Sequence, residues 1–216
     1  MKDFAMGNAE IIALDGNDAE CSIEGMEVSK LSREGKGALL FVTREKNLEI
    51  ENSSIENTTM LNSSHITINS LANGLLKNVT FSNLSRTNGD GGVIVGELGA
   101  GGVLSVENCS FISCICYSGR TIGGCVLMDV KENGVFRFER TKVEFCIVSS
   151  GDGFSGGLFL TFTSSHVDYS IRNNTFENNG ALCGKDAYVV CEEPGAAILL
   201  MYWNGSASEG TAPDCL

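Results

Sequence analysis

The sequence is poor in proline, histidine and positive charge, and each shortage narrows what the chain can be. With 2 Pro against 26 Gly in 216 residues, the chain is suited to many tight turns rather than to a disordered linker. The 2 histidines, His65 and His166, stand next to serines without partners at ligand spacing, so both are expected at the surface or in turns. The 15 Lys and Arg are outnumbered by 27 Asp and Glu, a net charge of −12 that repels phosphate backbones and anionic lipid. Nucleic acid is therefore not an expected partner. The longest apolar stretch, Ala196 to Trp203, is too short to cross a bilayer as a helix, so no membrane span is expected. The opening MKDFAMGNAEIIALDGNDAEC carries acids early and no apolar run of signal-peptide length. An exported form is expected to be a fragment or to have lost its signal.

Metal and nucleotide motifs are missing as well. None of Cys21, Cys109, Cys114, Cys116, Cys125, Cys146, Cys183, Cys191 and Cys215 falls into the doubled CxxC spacing of a structural zinc site, and no metal is expected. The odd number leaves at least one thiol free or paired with another chain. Packing or a disulfide accounts for Cys114-Ile-Cys116, which lacks a basic neighbour to activate a thiol. There is no phosphate loop, nucleophile elbow or metalloprotease helix, and no cofactor is expected.

What the sequence has is a repeat. The frame apolar, x, Asn, x, Ser/Thr, apolar reads Ile50-Glu-Asn52-Ser-Ser54-Ile55, Leu76-Lys-Asn78-Val-Thr80-Phe81, Val106-Glu-Asn108-Cys-Ser110-Phe111 and Ile171-Arg-Asn173-Asn-Thr175-Phe176. Weaker copies put Gly at Gly25 and Arg at Arg140. The closing apolar residues, Val28, Ile55, Phe81, Phe111, Val143 and Phe176, mark a quasi-regular interval that widens toward the C-terminus. Glycine-led apolar runs such as Gly37–Val42, Gly91–Val95, Gly123–Leu127 and Gly156–Leu160 follow the marks, and short runs such as Val103–Val106 and Val135–Phe138 precede the frame. Three short strands per turn of roughly thirty residues describe an all-β, right-handed parallel β-helix of about six coils. A leucine-rich repeat would need a return segment with helical or extended character in each repeat, and the returns here are Gly- and Ser-rich with no 3.6-residue period. One domain over 1–216 is expected, with coils over about 20–200 and caps or tails at 1–19 and 201–216. Stacking should place the frame asparagines in a turn column where left-handed backbone is tolerated, and Cys114 close to Cys146.

Gly91-Gly-Val-Ile94, Gly101-Gly-Val-Leu104, Gly123-Gly-Cys-Val126 and Gly156-Gly-Leu-Phe159, together with Phe176-Glu-Asn-Asn179, resemble the GGAI and FxxN repeats of polymorphic outer membrane proteins and related protist surface proteins. In Phe111-Ile-Ser-Cys114 a Cys takes the Asn position. The resemblance spans roughly residues 75–190. It implies a pectin-lyase-like β-helix at an extracellular or cell surface, acting as an adhesin or structural spacer that binds glycan or protein. A carbohydrate-active enzyme of the same fold, a polysaccharide lyase or glycoside hydrolase, is the alternative.

Candidate chemistry is thin. Nine residues after the marks stand Asp90, Arg120, Asp152 and Lys185. Two carboxylates flanking an arginine form the best catalytic candidate, Asp90, Arg120 and Asp152, and an exposed ion-pair ladder is the plainer alternative. Eight N-x-Ser/Thr sequons, at Asn52, Asn57, Asn62, Asn78, Asn83, Asn108, Asn173 and Asn204, are candidate glycan acceptors. Four of them are the turn frame itself.

Overall fold

The structure, a computed structural model, describes residues 5–6, 12–15, 20–34, 37–43, 47–88, 91–117, 124–149, 153–164, 166–182 and 184–191. Among these the chain forms only strands, which stack in four parallel sheets of 6, 7, 6 and 6 strands. It is the all-β parallel solenoid expected, with about five turns. Each turn has four strands rather than three. We number the sides I to IV in chain order, as they occur in the coil Glu20–Glu24, Glu27–Ser29, Ser32–Arg33 and Leu40–Thr43.

The side missed by sequence is III. Its strands are two residues long, and its inward column is Arg33, Met60, Arg86, Cys116 and Val148, a mixture with no apolar signature. Both arginines are buried. Their guanidiniums turn back onto backbone: Arg33 Nη1 donates to Ala38 O at 2.8 Å, and Arg86 Nε and Nη1 donate to Asn88 O and Gly91 O at 2.9 and 2.8 Å. They thereby satisfy carbonyls of the corner leading to side IV, and a buried charge needs such partners.

The marks do stack. Val28, Ile55, Phe81, Phe111, Val143 and Phe176 are successive register partners on side II. The frame position ahead of them is left-handed in every coil, with φ of 50, 54, 51 and 57° at Asn52, Asn78, Asn108 and Asn173, and 67 and 52° at Gly25 and Arg140. Five residues on, a second left-handed corner recurs at Lys30, Asn57, Asn83, Ser113, Phe145 and Asn178. Side II is thus bent in at both ends by positions where Asn and Gly cost least.

Side I packs beside it, and the two exchange volume. Side I offers Ile50, Leu76, Val106, Phe138 and Ile171 in register. Where side II drops from Phe to Val143, side I supplies Phe138. The aromatic stack therefore runs Phe81–Phe111–Phe138–Phe176, with centroids 4.7, 6.1 and 6.3 Å apart. It crosses from one side to the other and back, keeping the core filled.

The glycine pairs have a steric reason. A Cβ on Gly92 would strike the Gly124 carbonyl, and one on Gly124 the Gly156 carbonyl, so these positions form a close-packed backbone column ahead of side IV. The Gly101-Gly102 copy lies elsewhere, in the corner between sides IV and I, where Gly101 takes φ 77°.

Candidate binding face

The catalytic candidates Asp90, Arg120 and Asp152 lie outside the described residues. Lys185, the last of that column, is described and exposed. Of the sequons, Asn204 is likewise outside, and Asn52, Asn57, Asn62, Asn78, Asn83, Asn108 and Asn173 are all exposed. The amides of Asn52, Asn57, Asn62, Asn78 and Asn83 already bond between coils. Asn78 Nδ2 donates to Asn52 Oδ1 at 2.9 Å, Asn83 to Asn57 at 3.3 Å, Asn88 to Asn62 at 3.1 Å and Asn73 to Asn47 at 3.3 Å. Four rungs join the same two coils because both carry Asn at every fifth position, at 47, 52, 57, 62 and at 73, 78, 83, 88. That five-residue period is a sequence signal our reading missed, and it marks the corners of three successive sides.

Among the described residues the outer surface of side I carries a groove and a row of ion pairs. A groove of about 410 Å³ is lined by Glu20, Ser22, Asn47, Glu49, Asn73 and Leu75, with Cys21 and Leu48 at its floor. Outward residues alternate with the core residues along each strand, so carboxylates, amides and a hydroxyl repeat across neighbouring coils. Asn47 Nδ2 donates to Glu20 Oε1 at 2.9 Å.

Toward the other end the same side becomes an ion-pair ladder. Lys77 meets Glu51 at 2.9 Å, Arg140 meets Glu107 at 2.8 Å and Glu139 at 3.2 Å, and Arg172 meets Glu139 at 2.9 Å. The Glu51 carboxylate raises the Lys77 ammonium above its ordinary value. Glu139 is 3% exposed. Burial alone would raise its carboxyl, but hydrogen bonds from Arg172 and Ser170 and the charges of Arg172 and Arg140 hold it below the usual range.

The histidines part company. His166 is exposed, as expected, but His65 is buried at 1% exposure, because it occupies the inward position just before a side IV strand. Burial lowers its imidazole to about 4, opposed by the Thr58 backbone and assisted by Arg86, so it is neutral at physiological pH.

The cysteines are where spatial and sequence order differ most. Cys109, Cys114, Cys125 and Cys146 are buried free thiols. Cys114 and Cys146 stack, as the repeat predicts, next to the paired Ile115 and Ile147. The sulfurs of Cys114, Cys125 and Cys146 all lie within 4.8 Å of one another, buried. No spacing rule could have found a trio drawn from two corners and a strand lead-in. Among the described residues no helix is long and apolar enough to cross a membrane. Compared with known proteins, the chain matches no family model, no curated protein and no solved structure.

Proposed function

We propose that this solenoid is a non-catalytic surface or secreted protein, an adhesin or spacer whose side I face binds a glycan. The observation that carries the reading is the groove over Glu20, Ser22, Asn47, Glu49 and Asn73: adjacent coils repeat carboxylate and amide groups at about 4.8 Å, a spacing suited to successive hydroxyls of an extended chain. With a net charge of −12 and two glutamates at the groove, the favoured ligand is neutral or amino-substituted rather than acidic. The resemblance of the glycine and Phe frames to surface-protein repeats supports the extracellular setting, and exposed sequon asparagines are compatible with it.

The test is a glycan array of neutral, amino and acidic polysaccharides, followed by titration calorimetry of the best binder against the wild type and Asn47→Ala with Glu49→Ala. These side chains are exposed or half-buried, so the variants should fold. Binding of a neutral or amino glycan, weakened about tenfold or more by the pair, or roughly 1.4 kcal/mol, is expected. Selective binding of acidic glycans, or binding that ignores both substitutions, would sink the proposal. Depolymerisation of the glycan that disappears in Asp90→Asn or Asp152→Asn would replace it by the enzyme reading.

A further inference from the structure

Two inward columns stand at either end of side III. One follows the second left-handed corner: Thr58, Leu84, Cys114, Cys146 and Asn179. The other precedes the side IV strands: His65, Val93, Cys125, Gly157 and Asp186. The coils match their members by chemistry. Asn179 Nδ2 donates to Asp186 Oδ1 at 2.9 Å, apolar Leu84 shares its coil with Val93, and thiol Cys114 shares its coil with thiol Cys125.

Corner packing explains two of the three thiols. At the first corner Ser53 and Thr141 turn their hydroxyls onto the carbonyls of Glu51 and Glu139. At the second, the Cys114 and Cys146 thiols do the same, Cys114 toward Phe81 O and Ile112 O at 3.7 and 3.8 Å and Cys146 toward Phe111 O and Glu144 O at 3.5 Å each. Cys125 has no such duty. Its column is filled by an aliphatic side chain at Leu39 and Val93, and a third aliphatic would serve packing equally well. Gly157 carries no side chain to face Cys146, since a Cβ there would strike the Asp186 carbonyl. The Cys146 sulfur instead completes a triangle with the pair in the preceding coil.

We propose that Cys114, Cys125 and Cys146 form a buried three-sulfur site for a soft monovalent ion, Cu(I). A trigonal ion with metal–sulfur bonds of about 2.3 Å needs sulfurs about 4 Å apart, and these three, all within 4.8 Å, reach that with shifts of a few tenths of an ångström. Among the described residues the cluster contains no fourth ligand, which a closed zinc site requires, and three soft thiolates suit copper in its lower oxidation state. Each metal–thiolate bond forms as an S–H bond breaks and its proton passes to solvent, with no change in oxidation state. The site is independent of the side I face and does not rest on its reading.

The experiment loads the reduced full-length chain, without oxygen, from the Cu(I)–bicinchoninate complex and reads the first equivalent by X-ray absorption and by competition. Three sulfurs around the metal are expected. Cys125→Val, a shape already present in that column, should keep the far-UV spectrum and lose affinity for the first equivalent by more than about a hundredfold, the ceiling for losing an outer partner. Cys21→Ser and Cys109→Ser should keep it. A two-sulfur shell, displacement by equimolar Zn(II), or undiminished affinity in Cys125→Val would overturn the proposal. The sulfur count on the wild-type chain decides even if the variant fails to fold.

Discussion

Three sides of this solenoid and its fourth obey different rules. The offset from the first residue of a side I strand to the side II mark is the same in five successive coils: Asn47 to Ile55, Asn73 to Phe81, Val103 to Phe111, Val135 to Val143 and Asp168 to Phe176. The step from mark to side III strand is equally constant, from Ile55 to Thr59 through Val143 to Ile147. The route out to side IV instead lengthens, from Thr59–Ile66 through Ser85–Ile94 to Ile147–Leu158, and so does the route back, from Ile66–Asn73 through Ile94–Val103 to Leu158–Asp168. All the lengthening of the coil across this span falls on side IV and the two corners flanking it. Sides I to III are fixed because left-handed corners and alternating core residues allow no insertion without turning a core residue outward. An insertion in the corners flanking side IV leaves that alternation intact and carries no such penalty.

If that contrast is right, the core between sides I and II is the least forgiving place in the molecule. Phe138→Ala should cost about 4 kcal/mol in chemical denaturation, because it empties the point where the aromatic stack changes sides. Combining Phe138→Val with Val143→Phe restores the volume on the opposite side and should recover more than half of that loss. A swap as damaging as the truncation would show that the two sides do not share one core.

How much of this was legible follows the same divide. The marks, the left-handed asparagines and the Cys114–Cys146 stack were readable because side II repeats with one fixed frame, and periodic residues in a solenoid become columns. Side III was invisible since Arg33, Met60, Arg86, Cys116 and Val148 share no hydropathy; what unites them is a backbone position and, for the arginines, carbonyls that only the folded corner brings within reach. His65 was misplaced for a related reason, as its coil carries a histidine where others carry Leu39 or Val93. The thiol trio and the side I groove draw members from several coils, so their proximity depends on register in three dimensions.

The ion-pair ladder on side I ranks next. Glu139→Gln leaves Arg172 without its carboxylate and Arg140 with Glu107 alone, and should cost about 2 kcal/mol at neutral pH, below the cost of breaking a fully buried pair because both arginines remain partly exposed. The folded-state carboxyl lies below its ordinary 4.5. Its contribution is therefore fully present above that value and is lost as pH falls through the folded one. Urea titrations of wild type and variant should differ most near neutrality and converge in acid; a gap that widens with acidification would mean that the protonated form is the one the site favours.

The smallest effect should come from the variable corner. Inserting Gly-Ser after Ala100 lengthens the return from Ile94 to Val103 to just past the one the chain already uses between Leu158 and Asp168. Loop-closure entropy rises only logarithmically with length, so the expected loss is below about 0.6 kcal/mol, with the Gly102 to Gly99 turn bond reforming around the longer loop. Stability falling by several kcal/mol would mean that this corner, like the left-handed ones, sets register. The growth of the coil along the chain would then require compensating changes in the core, and not merely room in solvent.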